Sequence, residues 1–408
     1  MWLPSSRVIT LLRAVHKFSS TNHLSLNSKL RRVFHLCSYD GQYLPIEVTA
    51  SNRDFRIAFL GTPAVAAHSL QLLYDYSVLN RQHPSNDSIL SSSARAINYE
   101  IALVVSQPPS LAGRNKKLTL SPVHELATKL GLPLLTPDSA KDSEFLDQLE
   151  QADIDLCITA AYGNFLPKRF LSIPRCGTVN IHPSLLPRYR GAAPVQRCLE
   201  NGDSTTGVSV VFTVSKMDAG PIIRQITYPL KGDEKAPQVL MDCFDAGTKS
   251  LIELFPRILT GDIRYNATSG TGANVIYQIE EDATPAPKLN SSDATIDFGT
   301  MNASQIHNRC RGYSEWPGIA ASFIIGADAT ELSRIKIITT HVLPQMPSLV
   351  SKEGDLRDIK VVKHNKVDML QVTCHDGSLL GETATSISIR CMIHTHSCVL
   401  CHANAIIN

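Results

Sequence analysis

The chain has 408 residues, 43% of them hydrophobic and 19% charged, a balance that suits a soluble globular protein of two domains plus extensions. A formal net charge of +2 argues against holding nucleic acid by bulk charge, while leaving room for local basic patches. No uninterrupted apolar run of about 18 residues occurs, so no membrane span is expected, and ten cysteines without framework spacing read as free thiols in a reducing compartment.

Residues 1–39 contain no Asp or Glu but carry Arg7, Arg13, Lys17, Lys29, Arg31 and Arg32 among many Ser and Leu. That pattern predicts a transit peptide or disordered leader over 1–53 and a mitochondrial matrix location, with the chloroplast as the other candidate organelle. A secretory signal fits less well, because basic residues interrupt the apolar run.

The folded part is expected to begin with a buried strand at Ile57–Leu60, a Gly61–Thr62–Pro63 turn and a helix over Ala64–Tyr76. This is a strand–turn–helix opening without the GxGxxG dinucleotide fingerprint. Residues 80–97 are polar and Ser-rich and read as an enlarged loop. The strand YEIALVVS comes next, then QPPSLAGRNKKLTLSPV, whose prolines, glycine and basic residues Arg114, Lys116 and Lys117 read as an exposed loop. A lone basic triplet is most often a solvated surface, but its place at a strand end of the same sheet would let it reach phosphates. A helix over Val123–Leu130, a strand near Leu134 and a helix over Asp142–Glu150 lead to DLCITAAY, apolar enough for a central parallel strand. The alternation predicts right-handed βαβ units in an open, mostly parallel α/β sheet over 54–262.

After the strand-like PIIRQITYPL and a helix from Pro237 to Leu259, residues 263–288 are rich in Gly, Thr, Asn and Pro and read as a linker. Residues 289–383 hold one helix, Ala303–Gly312, and the strand-like runs GIAASFII, RIKIITTHVL, DIKVVKH and MLQVTCHDGSLL, which predict a small β-barrel. The tail 384–408 crowds Cys391, His394, His396, Cys398, Cys401 and His402 into twelve residues. A structural zinc site needs two ligand pairs separated by a folded loop, so no metal is expected there.

The chemistry centres on Thr178–Ile223. Asn180 and His182 are two apart at the end of an apolar run, so on a strand they share a face, and Pro183 ends that strand. Asp218 follows a second strand-like run, VSVVFTV, which suggests a site at the carboxyl ends of neighbouring strands. Each residue alone is more often a cap or a satisfied core group. Together, an amide donor and an imidazole suit an oxyanion, and a carboxylate beside them can hold and charge the imidazole or accept a proton from an attacking amine. With no nucleophile elbow, this points to acyl transfer without a covalent enzyme intermediate.

IAFLGTP, AGRNKKL, SPV, AAYGNFLP, NIHPSLLPRYRGAAPVQR, TGVSVVFTVSKMDAGPI and YSEWPG, spread over roughly residues 55–380, resemble the methionyl-tRNA formyltransferases of the organellar type. The resemblance implies a Rossmann-like formyltransferase domain followed by an OB-like domain, and transfer of formyl from 10-formyltetrahydrofolate to the α-amino group of methionyl initiator tRNA. It places the catalytic roles on Asn180, His182 and Asp218 and the folate contact on Ser184, Leu185, Leu186 and Pro187. It gives Arg114, Lys116 and Lys117 to the tRNA acceptor end, with Asn115 where the family has Gly. No metal and a monomer are expected, and the tail after about Glu382 departs from the family. Two other readings share the NxH/SLLP core: a formyltransferase acting on glycinamide ribonucleotide or an amino-sugar nucleotide, and a non-catalytic tRNA- or folate-binding relative.

Overall fold

The computed structural model describes residues 54–82, 97–112, 117–266, 269–324, 332–343 and 378–383, and the backbone of four further strands within 32–48 and 359–373. The chain divides into two compact units, 1–53 and 54–408. In the first, Arg32–Cys37 (β1) pairs antiparallel with Tyr43–Val48 (β2).

In the second unit, β3 (Phe55–Gly61) leads into α1 (Ala64–Gln82) and β4 (Tyr99–Val105). The helix runs six residues past the expected end at Tyr76. Nothing from Ser77 to Gln82 breaks a helix, and Arg81 sits in the last turn, where the helix dipole favours a cation and Asp54 pairs with it at 3.1 Å. The expected basic loop is a two-stranded ribbon, β5 (Ser110–Ala112) against β6 (Lys117–Thr119). Helix α2 (Pro122–Lys129) starts at Ser121, whose hydroxyl accepts from the His124 N–H at 3.0 Å, with Pro122 at its first position. Then come β7 (Leu134–Leu135), α3 (Ser143–Gln151), β8 (Leu156–Ala160), α4 (Lys168–Leu171), β9 (Thr178–His182), α5 (Pro194–Glu200), β10 (Thr205–Phe212), β11 (Ile222–Pro229) and α6 (Ala236–Leu259).

The main sheet has the order β11-β10-β9-β8-β3-β4-β7. Pairs β3/β4, β3/β8, β4/β7 and β8/β9 are parallel, and only β10 runs against the rest. Alternate residues split between two cores, as a pleated sheet buried on both faces requires. Ile57, Phe59, Ile158 and Ile181 join Leu70 of α1 and Phe244, Leu251 and Phe255 of α6 on one face. Ala58, Leu60 and Cys157 join Phe145 and Leu149 of α3 and Phe170 of α4 on the other. Gly247 lets α6 lie flat on the sheet, because a Cβ there would stand 2.7 Å from both Ile181 and Val208.

The second domain holds α7 (Ala303–Gly312), started by a reciprocal Asn302/Gln305 capping box, and two antiparallel sheets. One pairs β12 (Ile319–Ile324) with β13 (Leu332–Ile337); the other has the order β14-β17-β16-β15, from Thr339–Leu343, Leu379–Thr383, Val367–Thr373 and Ile359–His364. RIKIITTHVL thus breaks at Ile338 into strands of different sheets, and MLQVTCHDGSLL turns back on itself. The second domain is therefore two sheets, and no closed barrel is formed by the described residues. Among them, no helix is long and apolar enough to cross a membrane.

Candidate active site

The chain leaves β3 outward through β4 and β7, then returns to β8 on the other side of β3. A crevice opens where strand order reverses, at the carboxyl ends of β3 and β8. The chain turns sharply there: Ala161 and Gly163 have φ of 46° and 88°, and the Tyr162 carbonyl accepts from Thr62 Oγ1 at 3.0 Å and Gln107 Nε2 at 3.2 Å. The resulting cavity holds about 610 Å³, within the range of small-molecule sites. Asn180, His182 and Asp218 all line it, with an apolar wall that includes Val65, Leu240, Met241 and Phe244.

Asn180 and His182 project from the same face of β9, while Ile181 between them packs into the core beneath. The buried Thr159 on β8 donates from Oγ1 to Asn180 Oδ1 at 2.8 Å. With its oxygen engaged, the carboxamide turns its NH₂ toward the cavity, the orientation that an oxyanion donor needs. His182 is 4% exposed, and its Nε2 meets the Tyr189 carbonyl at 3.0 Å. A carbonyl only accepts, so Nε2 carries the proton and Nδ1 is the nitrogen left to act. Tyr189 itself is held firmly: its hydroxyl donates to Asp203 and accepts from Asn201, and burial pushes its phenol up to about 12.

Asp218 arrives by a route the strand pattern did not show. Because β10 is antiparallel to β9, its carboxyl end at Phe212 lies beside Val179, not beside His182. The expectation of neighbouring carboxyl ends therefore fails for Asp218. Instead the hairpin loop 213–220 folds back across the sheet face and brings Asp218 Oδ1 to 3.8 Å from His182 Nδ1. At that distance the carboxylate faces the imidazole without a hydrogen bond, so the Tyr189 carbonyl orients the ring and Asp218 supplies charge. Asp218 Oδ2 accepts from the Gly191 N–H at 2.8 Å, and its backbone is left-handed at φ 48°.

Residues 78–254 match the family described as Formyl transferase, and residues 288–388 match Formyl transferase, C-terminal domain. The methionyl-tRNA formyltransferase of Lactiplantibacillus plantarum is 31% identical over 297 residues, which are 73% of this chain and 83% of its own. The chain belongs to the methionyl-tRNA formyltransferase family. The enzyme of that name from Clostridioides difficile is 34% identical over 268 residues, 66% of this chain and 76% of its own. An N-formyltransferase from Helicobacter canadensis, solved with folinic acid and dTDP-3-aminofucose, aligns with a TM-score of 0.50 over 81% of this chain and 99% of its own; at 14% identity it shows a shared fold.

In this methionyl-tRNA formyltransferase family member, Ser184, Leu185, Leu186 and Pro187 do not line the cavity; Pro183, just before them, does. Ser184 is fully buried and donates to the Arg188 carbonyl at 2.7 Å, and Leu186 packs on Val211 and Ile222. Ser209 locks the turn from below, donating to the Ser184 carbonyl at 2.6 Å and accepting from the Leu186 N–H at 3.1 Å. These side chains shape the turn between His182 and Tyr189; Ser184 and Leu186 are buried in it, and Leu185 and Pro187 are half-buried. The arginines of RGAAPVQR likewise point away from the cavity. Arg190 reaches Gln278 and Glu280, and Arg197 reaches the Pro287 carbonyl, Glu200, Asp293 and the Tyr313 hydroxyl, so both fasten the first domain to the inter-domain segment and the second domain.

Lys117 is exposed on β6. Arg114, Asn115, Lys116 and the Cys/His-rich tail lie outside the described residues. Among the described residues, no group of three or more His, Cys, Asp or Glu could hold a metal ion, and Cys157, Cys176, Cys198, Cys243 and Cys310 form no disulfide. Burial pushes the Cys198 thiol up to about 11 and that of Cys243 up to about 12, which keeps them protonated and unreactive. Thr159, Tyr189, Gly191 and Gln278 do not stand out in the sequence. Thr159 alone left a signal, as a hydroxyl inside an apolar strand.

Proposed function

We propose that the protein transfers the formyl group of 10-formyltetrahydrofolate to the α-amino group of methionine on initiator tRNA. The observation that carries this reading is the convergence of a free amide donor, a one-sided imidazole and a carboxylate in one cavity at the sheet's switch point. Attack of the amine nitrogen on the formyl carbon makes a tetrahedral centre whose oxygen takes up negative charge. The Asn180 NH₂ stabilises that oxygen, joined by the Nδ1–H of His182 in its protonated form, and Asp218 balances the imidazolium across 3.8 Å. The amine must lose a proton as the C–N bond forms, and Asp218 is the carboxylate placed to receive it through water. Collapse then breaks the bond from the formyl carbon to N10 of the folate, and that nitrogen takes a proton. Ser184–Pro187 serve the donor by fixing the turn that presents Pro183 to the cavity, and Tyr162, Asn164 and Phe165 offer it a wall of mixed polarity.

For the acceptor, the support is the exposed ribbon that presents Lys117 beside Arg114 and Lys116 in the sequence. Purified protein given the folate donor is expected to formylate charged initiator tRNA and not glycinamide ribonucleotide; the reverse preference would sink the reading. Replacing Arg114, Lys116 and Lys117 together by Ala is expected to raise KM for the charged tRNA. The log–log dependence on salt should become shallower by about 2, as three lost phosphate contacts require. An unchanged slope would remove these residues from the tRNA interface.

We also propose the organellar type and a mitochondrial matrix location, supported by the acid-free, Arg-bearing stretch over residues 1–39. Residues 1–53 fused to a fluorescent reporter are expected to deliver it to mitochondria. A reporter that stays in the cytosol, or enters plastids, contradicts this.

A further inference from the structure

We propose that Gln278, in the segment joining the two domains, is a positioning residue for Asp218. This rests on the proposed role of Asp218 in the transfer. The Gln278 carboxamide grips the loop on both sides of Ala219: Nε2 donates to the Asp218 carbonyl at 2.8 Å and to the Gly220 carbonyl at 2.7 Å. Its Oε1 accepts from Arg190 Nε at 3.0 Å, so one amide links the loop that carries Asp218 to the loop that carries Gly191. Those are the loops whose separation sets the 2.8 Å bond from the Gly191 N–H to the Asp218 carboxylate.

The segment that delivers Gln278 is fastened at several points. Ile276 and Ile222 exchange backbone hydrogen bonds of 2.7 and 2.8 Å. The Tyr189 N–H donates to Thr284 Oγ1 at 2.8 Å, and the Ala286 N–H donates to the Arg190 carbonyl at 2.6 Å. Arg190 continues to Glu280 at 2.9 Å, and Lys216, from the Asp218 loop, binds the same carboxylate. The two cations hold the Glu280 carboxyl below its usual range. The expected linker over 263–288 therefore clasps both active-site loops. Asp218 needs such a clasp, because at φ 48° its backbone occupies a region that L residues rarely adopt unless their surroundings impose it.

The chemistry of the grip dictates the variants. Gln278→Glu keeps the acceptor for Arg190, loses both donors and sets a carboxylate against two carbonyls; Gln278→Met has similar reach and loses all three bonds. Gln278 is half-buried, and the near-isosteric Glu variant keeps the experiment informative if the Met variant does not fold. Each is made in the wild type and in the Asp218→Ala background, and single-turnover formyl transfer is followed.

In the wild type, both variants are expected to lower the transfer rate about 10- to 100-fold, the scale for a small misplacement of a reacting group, while KM for tRNA and folate changes by less than about 3-fold. In the Asp218→Ala background the same changes should alter the rate by less than about 2-fold, because a residue that acts only through Asp218 has nothing left to position. Wild-type rates in both Gln278 variants overturn the proposal. So does a second full loss added to Asp218→Ala, which would mark a general structural role. If Asp218→Ala itself transfers at the wild-type rate, the assignment of Asp218 fails first and takes this inference with it.

Discussion

Replacing His182 by Ala is expected to lower the rate of formyl transfer by about 100- to 1,000-fold, and to leave KM for the folate donor within a few-fold. Two losses combine in that number. The oxyanion loses its cationic donor, which acts only once charge has developed and so enters the rate rather than the binding of either substrate. In addition, the buried Tyr189 carbonyl loses its partner at 3.0 Å and Asp218 loses the imidazole it faces at 3.8 Å. Asp218→Ala is expected to fall by about two orders of magnitude on the same assay, because the attacking amine then has no carboxylate placed to receive its proton. The double variant should be little worse than either single one, since the two act as a unit. Near-wild-type turnover in either single variant would show that the chemistry lies elsewhere.

Gly220→Ala is expected to be nearly as damaging, by a different route. A Cβ at that position would stand 1.7 Å from the Phe212 carbonyl oxygen. Both sides of the clash are backbone, so no rotamer relieves it; either β10 or the loop must move. The Phe212 N–H bonds the Pro221 carbonyl at 3.0 Å and Gln278 bonds the Gly220 carbonyl at 2.7 Å, and a shift sufficient to admit a methyl group breaks both. The expected cost is about 2–4 kcal/mol of stability, the scale for a strained overpacking that also frees buried polar groups, read as a drop in melting temperature. The variant that remains folded should transfer formyl at least about 100-fold more slowly, because Asp218 lies two residues away on the displaced loop. A variant that melts and turns over as the wild type does would show that the loop yields more easily than its hydrogen bonds imply.

Much of the fold was legible because local pattern and tertiary role agree. Ile57–Leu60 and DLCITAAY are apolar on both faces, as central parallel strands must be, and the turn residues at Gly61–Pro63 mark the start of α1. Asn180 and His182 could be placed together because a period of two fixes their common face whatever the strand pairs with. Asp218 could be named but not placed, since nothing local reveals that β10 runs backwards and that the carboxylate returns on a hairpin loop. Ser184–Pro187 lie next to the cavity lining rather than in it, because an apolar turn shows that a residue such as Leu186 will be buried, not what it will be buried against. The segment 263–288 has the composition of a linker, and the sequence carries no mark of the bonds that Gln278, Thr284 and Ala286 make with residues far away in the chain. The same holds for the break at Ile338, where one apolar run serves two sheets.

The bond from His182 Nε2 to the Tyr189 carbonyl has a consequence for the catalytic cycle. An imidazole usually relays protons by taking one at one nitrogen and releasing one at the other. Here one nitrogen is permanently committed to a carbonyl that cannot accept ownership of a proton, so the ring has a single port. Any proton it gains at Nδ1 must leave by the same opening through which the substrates enter. His182 therefore meets the cavity through Nδ1 alone, so the oxyanion and the Asp218 carboxylate share one nitrogen of the ring.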